Sequence, residues 1–302
     1  MRGAWDVGAV LALRRLVRGR GVALVHTHSS VDSWLGALAA RSVGRPVVRS
    51  RHVTIPVLWR RALVYRLADR IITTGEAIAR VVATAGVDPA RIVSVPAGVD
   101  TGKFHPGVSG HAVRRELGLA PPPEGKVVGL VANVRGSKGH RYFLEAARDV
   151  LRAVPGTRFL VVGDGVGFDD VRRTVHELGL EADVLMTGFR RDIPEVMAAL
   201  DVLVLPSTRS EATSQVIPQA LAVGTPVTAT AVGGIPEMIR DGVNGRLVPP
   251  ADSAALAAAI VDMLTERERA RAMAKVGQVE VLARYTVDAM MARTTEVYAE
   301  LL

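Results

Sequence analysis

Short apolar, β-branched runs alternate with amphipathic stretches of helical length along nearly the whole chain. No other feature narrows the fold as much, because strands spaced by helical patterns build βαβ units around parallel sheets. In the first part of the chain, 23–26, 46–49, 71–74 and 92–95 read as strands, with helical patterns around 33–42, 59–68 and 76–85. The stretch 104–125 breaks this rhythm with Pro106, Gly107, Gly110 and the run Pro121-Pro122-Pro123. Prolines continue neither period, so the stretch reads as an interdomain connection. A fuller series follows, with strands at 126–131, 158–162, 184–187, 202–205, 227–231 and 245–248. Helices are expected between them at 142–153, 168–178, 193–200, 214–223 and 235–240. Six strands with crossover helices make a complete doubly wound domain, and 252–302 reads as two or three more helices. The expected organisation is therefore α/β with two Rossmann-like domains. An incomplete N-terminal one covers 1–110, a C-terminal one covers 111–285, and a closing helix over 286–302 packs back toward the first.

Composition removes several function classes. The chain has no cysteine, which excludes disulfide scaffolds, thiolate zinc sites and cysteine nucleophiles. Its 38 Lys and Arg exceed its 30 Asp and Glu, a formal charge of +8. That excess favours anionic partners such as nucleotide phosphates or lipid head groups. Aromatic residues are 4% of the chain, too few for a single-strand stacking platform, so nucleic acid is not an expected partner. No apolar run reaches the ~20 residues of a membrane span. The first twenty residues are interrupted by Asp6, Arg14, Arg15, Arg18 and Arg20, unlike a secretory signal. A cytoplasmic location is expected, with peripheral contact at the inner face of the membrane left open.

Ligands of open parallel sheets sit at the carboxyl ends of the strands, where helix N-termini present free N–H groups. After strand 126–131 comes Asn133-Val134-Arg135-Gly136-Ser137-Lys138-Gly139-His140. Two cations and two glycines at a helix entrance suit a diphosphate, though a basic exposed turn has the same composition. Gly163-Asp164-Gly165 after the next strand reads first as a tight turn. Gly188-Phe189-Arg190 after the third offers a place for a base against backbone. The fourth strand leads into Pro206-Ser207-Thr208-Arg209-Ser210-Glu211. Glu211 is placed either to accept sugar hydroxyls or to balance a helix dipole. Gln219, on the helix that follows, can both donate and accept. In the first part His26 and His28 share a strand face, and polar loop residues are a better reading of them than a metal pair. No Gly-x-Ser-x-Gly elbow and no Walker lysine motif is present, so serine hydrolase and P-loop chemistries lose their support.

Taken together, these segments resemble the retaining glycosyltransferases of family 4, also called group 1, which have the two-Rossmann-domain GT-B fold. The resemblance is carried by Val25-His26-Thr27-His28-Ser29-Ser30, Ser50-Arg51-His52, Pro96-Ala97-Gly98-Val99-Asp100, Lys138-Gly139-His140 and Val162-Gly163-Asp164-Gly165. Leu205-Pro206-Ser207 with Glu211, Ala222-Val223-Gly224-Thr225-Pro226, Gly233-Gly234-Ile235-Pro236-Glu237 and Asp241-Gly242-Val243-Asn244-Gly245 complete it. It implies a UDP- or GDP-sugar donor on the C-terminal domain, and a glycan or lipid-linked acceptor on the N-terminal one. Donor contacts would come from Arg135, Lys138, Gly163, Gly188, Phe189, Arg190, Glu211 and Gln219. Glu211, Lys138 and His52 would be catalytic: Lys138 neutralises the diphosphate, Glu211 holds the transferred sugar, and His52 approaches that sugar. No cofactor and no metal are expected, since no Asp-x-Asp motif occurs. Retention by front-face displacement would need no enzymic nucleophile.

The sequence departs from the family pattern at three points. The second of two glutamates spaced by eight is Gln219 here, and the arginine five residues before the lysine is Asn133, with Arg135 the candidate to replace its charge. Family members also begin with a strand and a glycine-rich turn, whereas this chain opens in what reads as a later helix. About two βα units, on the order of 60 residues, would then be missing ahead of Met1. A late start, a shortened natural form, or a second chain filling the gap would each explain this. The alternatives to transfer are a sugar-nucleotide epimerase of the same architecture and a non-catalytic nucleotide-sugar-binding protein.

Overall fold

The computed structural model describes residues 6–55, 57, 62–209 and 211–302. The chain divides into two compact units, Met1–Gly98 with Asp288–Leu302, and Val99–Val287.

The first unit is built on four strands, β1 (Val25–Thr27), β2 (Val47–Arg51), β3 (Arg70–Thr73) and β4 (Ile92–Ser94), in the order β1-β2-β3-β4. All three pairings are parallel. Helices α1 (Val7–Gly19), α2 (Ser30–Arg41) and α3 (Glu76–Ala83) flank them. α2 begins at Ser30, three residues ahead of the expected start. Ser29 and Asp32 form a reciprocal capping box in which each side chain satisfies the other residue's N–H group. The helix expected at 59–68 falls partly on residues 59–61, outside the described residues; its described end contains a 3-10 turn at Leu63–Leu67. Val48, Ile72 and Val95 form a core with Val297. That last residue comes from the closing helix α12 (Val287–Ala299), and Arg70 Nε bonds to Glu300 at 2.9 Å beyond its end.

The second unit holds a six-stranded parallel sheet: β5 (Lys126–Val131), β6 (Thr157–Val162), β7 (Val184–Gly188), β8 (Val202–Leu205), β9 (Val227–Thr230) and β10 (Arg246–Val248). The order is β10-β9-β8-β5-β6-β7, so the winding reverses between β5 and β8. The helices are α4 (His111–Glu116), α5 (His140–Ala153), α6 (Phe168–Glu177), α7 (Ile193–Ala199), α8 (Val216–Val223), α9 (Ile235–Met238), α10 (Ser253–Thr265) and α11 (Arg267–Arg284). Val128, Leu130, Phe159 and Val161 pack one face of the sheet with α5 and α10, while Val127, Leu160, Leu203 and Leu205 pack the other with α7 and α8. Strands buried on both faces read as the continuous apolar runs seen in the sequence.

The boundary expected at 110/111 is corrected to Gly98/Val99. The stretch 104–125 is likewise part of the second unit and not a connection between domains. Val99 N–H donates to the Tyr285 carbonyl at 2.7 Å, and Phe104, Val113 and Leu119 are buried in the core beside Leu203. Arg114 fastens the segment. Its guanidinium reaches Asp201 at 2.8 Å and the carbonyls of Ala120, Gly125 and Ala199. Asp201 also accepts from Val127 N–H and Arg267, which ties the end of α7 to the first residues of β5 and α11.

Candidate active site

In a doubly wound sheet the ligand crevice opens where the strand order reverses, outside the carboxyl ends of the two central strands. Here those ends are Val131 and Leu205. The turn after β5 carries Lys138 and the turn after β8 carries Glu211, and the two side chains meet. Lys138 Nζ pairs with Glu211 Oε1, and Ser207 Oγ donates to the same oxygen at 2.6 Å. The side chains are 15% and 8% exposed.

Glycines bring these turns together. Gly139 has φ +72, and a Cβ there would lie 1.8 Å from the Pro206 carbonyl oxygen. Thr208 N–H donates to the Ser137 carbonyl at 3.0 Å, stitching the two loops across the crevice. On the other side Gly233, at φ +58, would put a Cβ 2.0 Å from the Glu211 carbonyl, and Gly234 N–H donates to that carbonyl at 2.9 Å. Only a residue without a side chain fits either place. His140 follows Gly139, buried, with neither ring nitrogen bonded. Burial first, and then the Lys138 charge, push its pKa down to about 4, so it is neutral at pH 7.

The other expected donor contacts divide among separate places. Gly163, Phe189 and Arg190 line a cavity of about 570 Å³ with Asn133 and Gly165. Phe189 is an exposed aromatic there, 71% accessible. Arg190 is committed elsewhere, since its guanidinium binds both Glu116 oxygens at 2.7 and 2.8 Å and also grips Asp192. Those carboxylates raise its pKa further. Gly188 closes β7 with φ +70, and its carbonyl accepts from Gly163 N–H at 2.9 Å. Gln219 lies on α8 and lines a different cavity, of about 960 Å³, with Phe104, Arg191 and Ile193. Arg135 is exposed at the start of the lysine turn.

His52 belongs to the first unit, just past β2. Its Nε2 lies 3.3 Å from His28 Nδ1 with the rings stacked, and burial and His28 lower its pKa. His26 sits against His28, ring centroids 4.3 Å apart, and is bonded to Ser50 Oγ and the Tyr298 hydroxyl. Burial, with two neighbouring imidazoles, takes its pKa to about 4. Two roles escaped the sequence reading: the Ser207 hydroxyl on Glu211, and the Tyr298 anchor of His26. The first was in view as part of a turn. The second joins positions 272 apart in the chain, and nothing local signals it.

A family model described as Glycosyltransferase Family 4 matches residues 1–103, and one described as Glycosyl transferases group 1 matches residues 125–266. The 2-deoxystreptamine N-acetyl-D-glucosaminyltransferase of Streptomyces fradiae is 32% identical, over 94% of this chain and 73% of its own length. The chain belongs to the group 1, family 4 glycosyltransferases. The D-inositol 3-phosphate glycosyltransferase of Segniliparus rotundus is 34% identical over 84% of the chain, which spans 61% of that relative's length. Among solved structures, Anabaena Alr3699/HepE in complex with UDP superposes with a TM-score of 0.88 at 26% identity, covering 97% of this chain and 82% of that one. The same Anabaena protein has been seen with UDP-glucose, at 25% identity and a TM-score of 0.84, covering 97% and 82% of the two chains. A Rickettsia africae glycosyltransferase, 18% identical with a TM-score of 0.90, shares the fold and covers 97% and 80%. The two-domain GT-B family fold is thereby shown.

Proposed function

We propose that this family 4 chain acts as a retaining glycosyltransferase, taking a nucleoside-diphosphate sugar on the Val99–Val287 unit and passing the sugar to a glycan or lipid-linked acceptor on the first unit. The observation that carries this is the buried Lys138–Glu211 pair at the reversal point of the six-stranded sheet. Breaking a glycosyl–phosphate bond builds negative charge on the diphosphate and positive charge on the sugar ring. A fixed ammonium at the leaving group and a carboxylate at the sugar oppose both, without reorganisation during the reaction. In the free protein the two neutralise each other. A diphosphate that competes for Lys138 would release Glu211 to accept sugar hydroxyls, coupling donor binding to sugar recognition. The UDP and UDP-glucose held by the Anabaena neighbour support a uridine donor. His52 is the first-unit residue proposed to act on the transferred sugar, and Arg135, Gly163, Gly188, Phe189 and Gln219 are proposed to frame the nucleotide.

Calorimetric titration with UDP and with UDP-glucose tests this. Saturable binding in the wild type, abolished for both ligands in Lys138→Ala, is the expected result. Unchanged UDP binding in that variant would refute the site.

A further inference from the structure

The first unit holds a separate cavity of about 470 Å³ at the carboxyl ends of β1 and β2. His28, Ser29 and Ser30 from the start of α2 line it, together with Arg49, Arg51 and His52. Arg49 is 6% exposed, and its guanidinium lies over the Tyr65 ring, 4.0 Å from the centroid. Its Nε and Nη1 have no hydrogen-bond partner, and it makes no ion pair among the described residues. Arg51 gives Nη1 to the Tyr65 hydroxyl at 2.7 Å and Nη2 to the Ile55 carbonyl, and its Nε is buried without a partner. The carboxylate whose field reaches Arg49 is that of Asp32. It is already occupied by the N–H groups of His28 and Ser29 and by the Ser29 hydroxyl, at 2.7 to 2.8 Å.

Among the described residues, two guanidinium groups thus line the cavity, and the carboxylate that acts on Arg49 is itself already satisfied. A buried cation without a counter-ion is costly, and the Tyr65 ring offsets only part of that cost. In a low-dielectric wall the Arg49 charge acts on an anion in the cavity even where its own nitrogens are covered. The first turn of a twelve-residue helix opens on the same space and adds its positive end. A neutral sugar would leave both arginines uncompensated.

We propose that this cavity seats a phosphate group carried by the acceptor. The proposal rests on the first unit being the acceptor side, and it narrows the acceptor to a phosphate ester. Ser30 lines the cavity with a hydroxyl to offer the phosphate oxygens, the Ser29 hydroxyl being held by Asp32, while His28 and His52 border it. An anion there would favour imidazolium, so binding raises the His52 pKa from its depressed value. Among the described residues, the charged and titratable groups around it are Arg49, Arg51, Asp32, His26, His28, Tyr65 and, through His26, Tyr298.

The test follows the His28 and His52 ring protons by NMR while inorganic phosphate is added to the full chain at constant ionic strength. A saturable shift with a raised His52 pKa is expected, weakened at least about tenfold in Arg49→Gln and Arg51→Gln. Arg51→Gln keeps the test decisive should the more buried Arg49→Gln fail to fold. No saturable shift, or the same shift in Arg51→Gln, overturns the proposal. Two further arms separate the sources of phosphate. Competition by glycerol 1-phosphate points to a soluble ester, and co-sedimentation with phosphatidic acid vesicles, lost in Arg51→Gln and absent for phosphatidylcholine, points to a lipid-linked one. Response in neither arm overturns the assignment to an acceptor. UDP titration runs in parallel: UDP binding without phosphate binding defeats this inference alone, and phosphate binding without UDP binding defeats the donor site alone.

Discussion

Lys138 and Glu211 neutralise each other while shielded from water, so the two halves of the pair have opposite effects when removed singly. Lys138→Ala strands a buried carboxylate and takes away the proposed counter-ion of the diphosphate; UDP affinity should fall at least a hundredfold, on the scale of about 3 kcal/mol for a lost buried charge partner. Glu211→Gln frees the ammonium from its competitor. UDP alone should then bind as well as or better than to the wild type, while sugar transfer from UDP-glucose falls. Calorimetry on the two ligands separates these outcomes, and weaker UDP binding in Glu211→Gln would contradict the arrangement. The turns that carry both residues were legible in the sequence, because glycines and charges after a strand are local signals; that the two side chains pair was not. The commitment of Arg190 to Glu116 and Asp192 was not, since Glu116 lies 74 positions away and is brought near by packing alone.

At the scale of elements, β5, α7 and α11 are joined through Asp201, which holds Arg114 and Arg267 and accepts the Val127 N–H at the start of β5. Asp201→Ala leaves Arg114, 5% exposed at its side chain, as an unpaired buried cation. A loss of about 3–5 kcal/mol is expected, read as a lower urea midpoint with UDP binding retained at low denaturant. Gly139→Ala acts on the join between turns. It forces a side chain into the Pro206 carbonyl and a left-handed backbone, so it should cost UDP binding more than stability, measured on the same pair of experiments. The strands themselves were readable to within a residue or two of their ends, as with β5 at Lys126–Val131 and β8 at Val202–Leu205. The segment 104–125 was misread because its prolines and glycines mark a broken period. Phe104, Val113 and Arg114 are too sparse to show periodicity, yet they bury.

For the whole molecule, ligand and pH act on the folded state as one equilibrium. UDP at a hundred times its Kd should stabilise the protein by about 2.7 kcal/mol, seen as a rise in Tm that Lys138→Ala does not show. His26 and His140 both titrate near 4 when folded and near 6.5 when unfolded. As pH falls through 6.5 the unfolded chain takes up protons first, so stability drops between pH 6.5 and 4 and is flat above that window. His140 accounts for on the order of 3 kcal/mol of this, and His140→Leu should flatten the pH dependence of the urea midpoint correspondingly. Sequence alone determined the α/β class, the parallel strands and the turns that carry Lys138 and Glu211. Strand and helix periods, glycine turns and strand-end charges are local signals, written within a few residues of where they act. Tertiary structure decided the reversal of strand order between β5 and β8, the pairing of those two turns, the unit boundary at Gly98, and the placing of Arg49 over Tyr65 with no ion pair among the described residues. Each of these depends on which distant segments exclude water together, and burial sets the energy of a charge or a contact only once the chain has closed around it.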